Sequence, residues 1–294
     1  MVDSPVGSTV PRRQLGRHLR DRRQLARISL KAAAEALDWS ETKLWRIETG
    51  QTSVRVRDVA AMCDVYAVDR DTYVALLGLA TETKAKGWWH SYGDVIPEYF
   101  DLFIGLEEAA SELSNYQVDV VPGLFQTADY ARAMVRTARP DLKDAEVERR
   151  VQVRLARQAL LTRRIAPPGL AVVIGEAALR QAVGGPEVMA DQLGRLSALC
   201  DLRNVSIRVM PFAHGAHSGL AAGPFVMLEF PINDRGTPTE PTTIYIEHLA
   251  GTLYLDRPHE VTRYQRAFNE LHAAALDEPA SKRFISVAAK EWQA

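Results

Sequence analysis

Residues Ser29 to Gly50, SLKAAAEALDWSETKLWRIETG, decide how the first part of the chain folds. Leu30, Ala33, Ala34 and Leu37 recur at helical spacing, which gives a first short helix one apolar face. Ser29 suits the start of that helix, because a serine hydroxyl accepts a hydrogen bond from a free N–H of the first turn. Asp38 and Trp39 break the pattern, and Ser40 offers a second cap. The helix that follows turns Leu44 and Ile47 inward, leaves Glu41, Thr42, Lys43 and Arg46 outward, and stops at Gly50. Neither start is a full capping box, since Ala32 and Lys43 stand where a glutamate would be.

Two short helices about a tight turn make the helix-turn-helix pattern, in which the second helix enters the major groove of DNA. The outward residue types suit that use. Arg46 can fork onto guanine, Thr42 can meet a thymine methyl and Glu41 can accept from cytosine. Ser40 and Lys43 suit phosphates, which position a protein without reading sequence. The same residues also fit an ordinary helical hairpin with a solvated face.

Charge favours the first reading. The 294 residues carry a formal net charge of -1, but residues 1–80 hold 13 Lys/Arg against 10 Asp/Glu, a surplus of three on an otherwise acidic chain. Arg12, Arg13, Arg17, Arg20, Arg22, Arg23 and Arg27 crowd one predicted helix, Arg12 to Leu25. Length allows two domains with real cores. The two cysteines, Cys63 and Cys200, fall inside helical patterns without metal-ligand spacing, as expected of thiols in a reduced compartment. No apolar run approaches a membrane span and Met1–Pro11 lacks a signal-peptide core, so a cytoplasmic protein without membrane contact is expected.

Further helices are predicted around Val56–Val65 and Tyr73–Leu79. Five helices in residues 12–80, with Ser40-x-Thr42-x-x-Trp45-Arg46-Ile47-Glu48-x-Gly50 in the third, resemble the Cro/phage-repressor (XRE) family of regulators. The resemblance implies an ion pair between helix one and the end of the recognition helix, which falls on Arg23 and Glu48. It also implies phosphate contacts from the following loop, where Gln51, Ser53, Arg55 and Arg57 are the candidates. Val54 stands where the family often has a basic residue, which lowers the number of such contacts. A small domain with few phosphate contacts needs a homodimer on a two-fold, double-stranded operator.

Thr81–Gly87 reads as a hinge, and the aromatic stretch GWWHSYGDVIPEYF (87–100) as a packing seam between domains rather than a ligand box. Beyond it, residues 88–294 read as an α+β domain with a mostly antiparallel sheet. Helices are expected at Leu102–Leu113, after a cap at Thr127, at Asp144–Arg164, at Pro186–Leu199, at Glu260–Leu276 and at Pro279–Trp292. Strands are expected at Tyr116–Val121, Leu170–Gly175, Ser206–Pro211, Pro224–Phe230, Thr243–His248 and Gly251–Leu255. Val147, Val151 and Leu155 form the apolar stripe of the long helix. Arg150, Arg154, Arg157 and Arg164 share another side, either a solvated face or an anion-sensing surface.

The segments Val121–Arg132, Arg154-x-x-Arg157-Gln158, Glu176-x-x-Leu179-Arg180, Gly184–Pro186, Val209–Phe212 and Tyr254–Asp256 run in order through this domain. They resemble the large C-terminal domain of helix-turn-helix regulators in actinobacteria, the Scr-type antitoxin-like group. The resemblance implies transcriptional regulators commonly encoded beside a small partner protein. No cofactor is expected. Arg154, Arg157, Glu176 and Arg180 are the candidate ligand or partner residues, although Glu176 and Arg180, four apart on a helix, also suit a simple pair. No catalytic residues are assigned, because no phosphate-binding loop, dinucleotide fingerprint, nucleophile elbow or zinc-peptidase helix occurs. His214 and His217 lack a third ligand at a telling spacing, so no metal is expected. The competing reading is an enzyme acting on a small phosphorylated or nucleotide ligand, fused to a DNA-targeting module.

Overall fold

Ser29 and Ser40 do cap helices. In the computed structural model, Ser29 Oγ accepts from Ala32 N at 3.1 Å and Ser40 Oγ from Lys43 N at 3.2 Å. The structure describes residues 9–83, 88–164, 166–233, 236–249 and 251–293, without the side chains of Glu82, His90, Glu98 and Tyr99. Residues 84–87 of the predicted hinge lie outside the described residues. The chain packs as two units, one of residues up to Gly93 with Pro97–Ala109, the other of Asp94–Ile96 with Ala110–Ala294.

The first unit holds α1 (Thr9–Leu25), α2 (Leu30–Ala36), α3 (Glu41–Glu48), α4 (Val56–Val65), α5 (Arg70–Glu82) and α6 (Glu98–Ala109). Leu15, Leu19, Ala33, Leu44, Ile47, Val59 and Met62 form its core. Helix α1 starts three residues before the expected Arg12. Its arginines are not one basic face: Arg12, Arg13 and Arg23 are buried, and Arg17, Arg20 and Arg22 are half-buried, while Arg27 lies exposed beyond the helix end. Arg23 forks onto Glu48, Nε to Oε1 and Nη2 to Oε2 both at 2.8 Å. Its third nitrogen donates to Ile28 O at 2.9 Å, and Tyr66 OH donates to Glu48 Oε1 at 3.3 Å. The Glu48 carboxylate raises the Arg23 pKa above its ordinary value.

Two glycines let α1 close on the end of α3. A Cβ on Gly16 would stand 2.6 Å from Ile47 O and 2.8 Å from Glu48 O, and one on Gly50 would stand 2.7 Å from Arg13 Cα. Arg12 Nε donates to Gly50 O at 2.8 Å, and its Nη2 reaches Asp101 of α6 at 3.3 Å. Asp101 also accepts from the indole of buried Trp89 at 2.7 Å. Part of the aromatic stretch therefore packs inside the first unit.

The second unit is α+β. Its sheet comprises β1 (Glu112–Gln117), β2 (Gly169–Gly175), β3 (Val205–Met210), β4 (Phe225–Glu229), β5 (Thr243–His248) and β6 (Gly251–Leu255), in the order β3-β2-β1-β4-β5-β6. The sheet is mixed. β1, β2 and β3 run parallel, and the β1–β4, β4–β5 and β5–β6 pairs are antiparallel. Parallel neighbours need long crossovers. These are α7 (Ala128–Ala138) with α8 (Asp144–Arg157), then α9 (Ala177–Arg180) with α10 (Pro186–Leu199). After β3 come a short α11 (Gly219–Ala222) and, at the end, α12 (Pro258–Ala274) and α13 (Glu278–Glu291). Tyr116, Val173, Met210, Phe225, Met227, Ile244 and Ile246 share one sheet face with Phe268 and Leu271 of α12. The outer edge of β3 is closed from the start of α13: Val209 N donates to Ser281 Oγ and Leu276 N to Val209 O, both at 2.9 Å.

Three expected boundaries move. Helix α6 ends at Ala109, and Leu113 belongs to β1. The strand lies at Glu112–Gln117 rather than Tyr116–Val121, because it pairs on both sides and the alternating 118–121 stretch is its outgoing loop. Helix α8 ends at Arg157 and continues as a 3-10 turn, Gln158–Thr162. Its buried residues are Val147, Val151, Val153 and Arg157, whereas Leu155 is half-exposed.

The Arg23–Glu48 pair makes the first test. Glu48→Ala should lower stability by about 3–5 kcal/mol, since it leaves a guanidinium buried without its carboxylate. Replacing both (Arg23→Met with Glu48→Leu) should recover most of the loss in a denaturant melt. A Glu48→Ala protein that melts like the parent would show the pair contributes nothing.

Candidate nucleic-acid interface

The turn between α2 and α3 is built by backbone geometry. Asp38 takes a left-handed φ of 53°, Asp38 N donates to Glu35 O at 3.1 Å and Trp39 N to Ala34 O at 2.9 Å. That is the Schellman arrangement, which satisfies the last carbonyls of α2. The same arrangement ends α3: Gly50 N bonds Ile47 O at 3.0 Å and Gln51 N bonds Arg46 O at 2.8 Å, with Gly50 at φ 70°. Gln51 thus contributes to the helix end by its backbone.

With Leu44, Ile47 and Glu48 buried, α3 presents Glu41, Thr42, Lys43 and Trp45 to solvent, with Arg46 at the margin. Ser40 is exposed at its start. Lys43 folds over Trp39, its Nζ 3.6 Å from the ring centroid, which holds the ammonium beside the first turn of α3. In the next loop Ser53 and Arg55 are exposed, as is Arg57 in the first turn of α4, 3.6 Å from Asp58. The predicted contact residues therefore gather on α3 and the loop after it. Sequence reasoning missed Trp45, 47% exposed on the same side. The signal was present, since Trp45 stands one helical turn from Glu41.

The second unit separates the four residues singled out there. Glu176 pairs with Arg180 at 3.3 Å and accepts from Phe212 N at 2.9 Å, and Arg180 also pairs with Glu291. Arg180 lines an apolar cleft with Leu276, Phe284 and Val287. Arg154 and Arg157 lie elsewhere, against the 121–127 loop. Arg154 donates to Gln126 Oε1 at 2.8 Å, and burial, then neighbouring Arg157, lowers its pKa to about 10. Arg157 is buried and Arg154 half-buried, so neither arginine stands on a fully solvated face.

Side-chain amides hold this loop, of which Gln192 lay outside every segment that carries the resemblance. Gln126 Nε2 donates to Val121 O at 2.7 Å, and Gln158 Nε2 donates to Gln126 O at 2.6 Å. Gln192, wholly buried, donates to Phe125 O at 2.9 Å and accepts from Thr127 N at 2.8 Å. Tyr130 OH accepts from Val121 N at 3.2 Å.

Residues 14–76 match the helix-turn-helix domain family, which suggests DNA binding. Residues 100–287 match the domain of unknown function DUF5753, and that match covers more than half the chain. The chain belongs to the DUF5753 family. No curated protein and no solved structure matches it. The DUF5753 match spans the whole sheet, the amide-held loop and both arginine sites. No helix among the described residues is long and apolar enough to cross a membrane.

Within the DUF5753 domain, Gln192 is the residue whose loss reads most cleanly. Gln192→Leu keeps roughly the volume but strands Phe125 O and Thr127 N. The denaturation midpoint should fall by the equivalent of about 2–4 kcal/mol with an unchanged slope.

Proposed function

We propose that this chain is a sequence-specific transcriptional regulator of the XRE type, acting as a homodimer on a two-fold operator. The observation that carries the reading is the exposed side of α3, where Glu41, Thr42 and Arg46 stand on a helix whose other side is fixed in the core. Arg46 suits guanine, Thr42 a thymine methyl, and Ser40, Lys43, Gln51, Ser53, Arg55 and Arg57 suit phosphates. Three side-chain base contacts and a short basic loop give weak binding to one half-site. Two half-sites on one dimer make the second contact intramolecular and raise the avidity.

The DUF5753 domain, in this reading, receives a small partner protein or ligand, as the antitoxin-like resemblance implies. Arg154 supports an anionic group on that partner. It is a half-buried cation hydrogen-bonded to a neutral amide, where repulsion from Arg157 outweighs the attraction of Glu247, and such a charge is further stabilised by a carboxylate or phosphate. Such a partner changes DNA affinity only by favouring one arrangement of the two heads over another. The protein works in the cytoplasm, without metal, cofactor or catalysis of its own.

Binding to a selected operator tests the reading. Arg46→Ala should cost about 1–3 kcal/mol and relax preference at one base position. Arg55→Ala should weaken all sequences alike and flatten the salt dependence. Light scattering of the full chain should give the mass of two copies. Unchanged base preference in Arg46→Ala, or a monomer on DNA, would refute it.

Arg154→Gln separates sensing from DNA binding. It should leave operator affinity intact while abolishing release by the small protein encoded beside the gene. A variant released as readily as the parent would remove Arg154 from the receiving surface.

A further inference from the structure

We infer that Trp45 reads a thymine methyl in the operator and so sets specificity beside Arg46. This rests on the proposed reading of α3 as the helix that enters the major groove.

The two tryptophans of the turn differ in a telling way. Trp39 is half-buried against the core of the first unit, and the Lys43 ammonium covers its ring. Trp45 is 47% exposed, and among the described residues its indole makes no hydrogen bond and no ring contact. Packing explains the first and not the second. A large apolar side chain left in water is costly, because its burial would release apolar surface from solvent.

Position says what would cover it. Trp45 follows Glu41 by one turn and Thr42 by three residues, and directly precedes Arg46. Any duplex close enough for Thr42 and Arg46 to touch base edges also meets this indole. The one apolar group on the major-groove edge of a base pair is the thymine C5-methyl. An indole packed on that methyl gains apolar burial that no cytosine, guanine or adenine offers. The backbone at Trp45 is already committed, since its carbonyl accepts from Thr49 N at 2.9 Å and Thr49 Oγ1 at 2.8 Å. The side chain therefore meets DNA from a fixed helix.

The experiment selects the operator from a random duplex library with the full-length protein, then replaces each thymine in turn by deoxyuridine, which lacks only the methyl. Apart from any thymine whose methyl sensitivity is lost in Thr42→Ala, one thymine in each half-site, close to the guanine that Arg46 reads, should lose affinity by about fourfold on demethylation, the worth of one buried methyl group. Trp45→Ser should bind the parent operator more weakly and lose that sensitivity, while keeping the preference for guanine. Trp45→Phe should keep part of it. If selection yields a defined site but every deoxyuridine is tolerated, or if Trp45→Ser keeps the methyl sensitivity, the inference fails and the DNA reading stands. If selection yields no preferred sequence at all, the DNA reading itself fails.

Discussion

Arg23 and Glu48 meet through two parallel hydrogen bonds in the core of the first unit, and this contact sets where α3 stands against α1. A buried ion pair adds little net stability over an apolar pair of the same volume. Its value here is geometric. The carboxylate also takes the Tyr66 hydroxyl and the guanidinium also holds Ile28 O, so few other packings satisfy both charges. Arg12 grips the carbonyl of Gly50 a few residues beyond. Two cations of α1 thus hold the carboxyl end of α3, where helix carbonyls leave partial negative charge. On the opposite side Glu41, Thr42, Lys43 and Trp45 face outward, with Arg46 at the margin.

The DUF5753 domain uses amides for a comparable purpose. Gln126, Gln158 and Gln192 satisfy the backbone of the 121–127 loop from inside the fold. Neutral amides make two-sided hydrogen bonds without the desolvation cost of a charge. Arg154 is the exception, and its lowered pKa, about 10, still leaves it charged at neutral pH.

Much of this was legible in residue order because the signals are local. Ser29 and Ser40 are caps whose partners lie three residues on, and Leu44 and Ile47 mark the buried side of a short helix. The strands β2 to β6 follow apolar runs bounded by turn residues. Which strand pairs run parallel did not show, because alternation fixes which side a residue faces and says nothing of which way its neighbour runs. Tyr116 sits between Val173 of a parallel strand and Phe225 of an antiparallel one, and no local pattern marks the difference. The Arg23–Glu48 pair came from resemblance rather than spacing. The bond from Arg12 to Asp101, between residues far apart in the chain, carried no signal at all. Arg154 and Arg157 shared a helix side in the sequence, yet depth in the fold, which spacing does not encode, decided that they were not a solvated face.

Helix α6 has a further consequence. It packs with the first unit, where Gly105 leaves room for the Thr9 side chain, but the DUF5753 match begins at residue 100, inside it. The seam between sequence families and the seam between packing units therefore do not coincide. A chimera joined at residue 83 would bring a foreign α6 against α1 and leave Arg12 facing whatever replaced Asp101. Exchange of reading heads among such proteins is constrained by this helix, and a clean graft has to carry residues up to Ala109 along with the head.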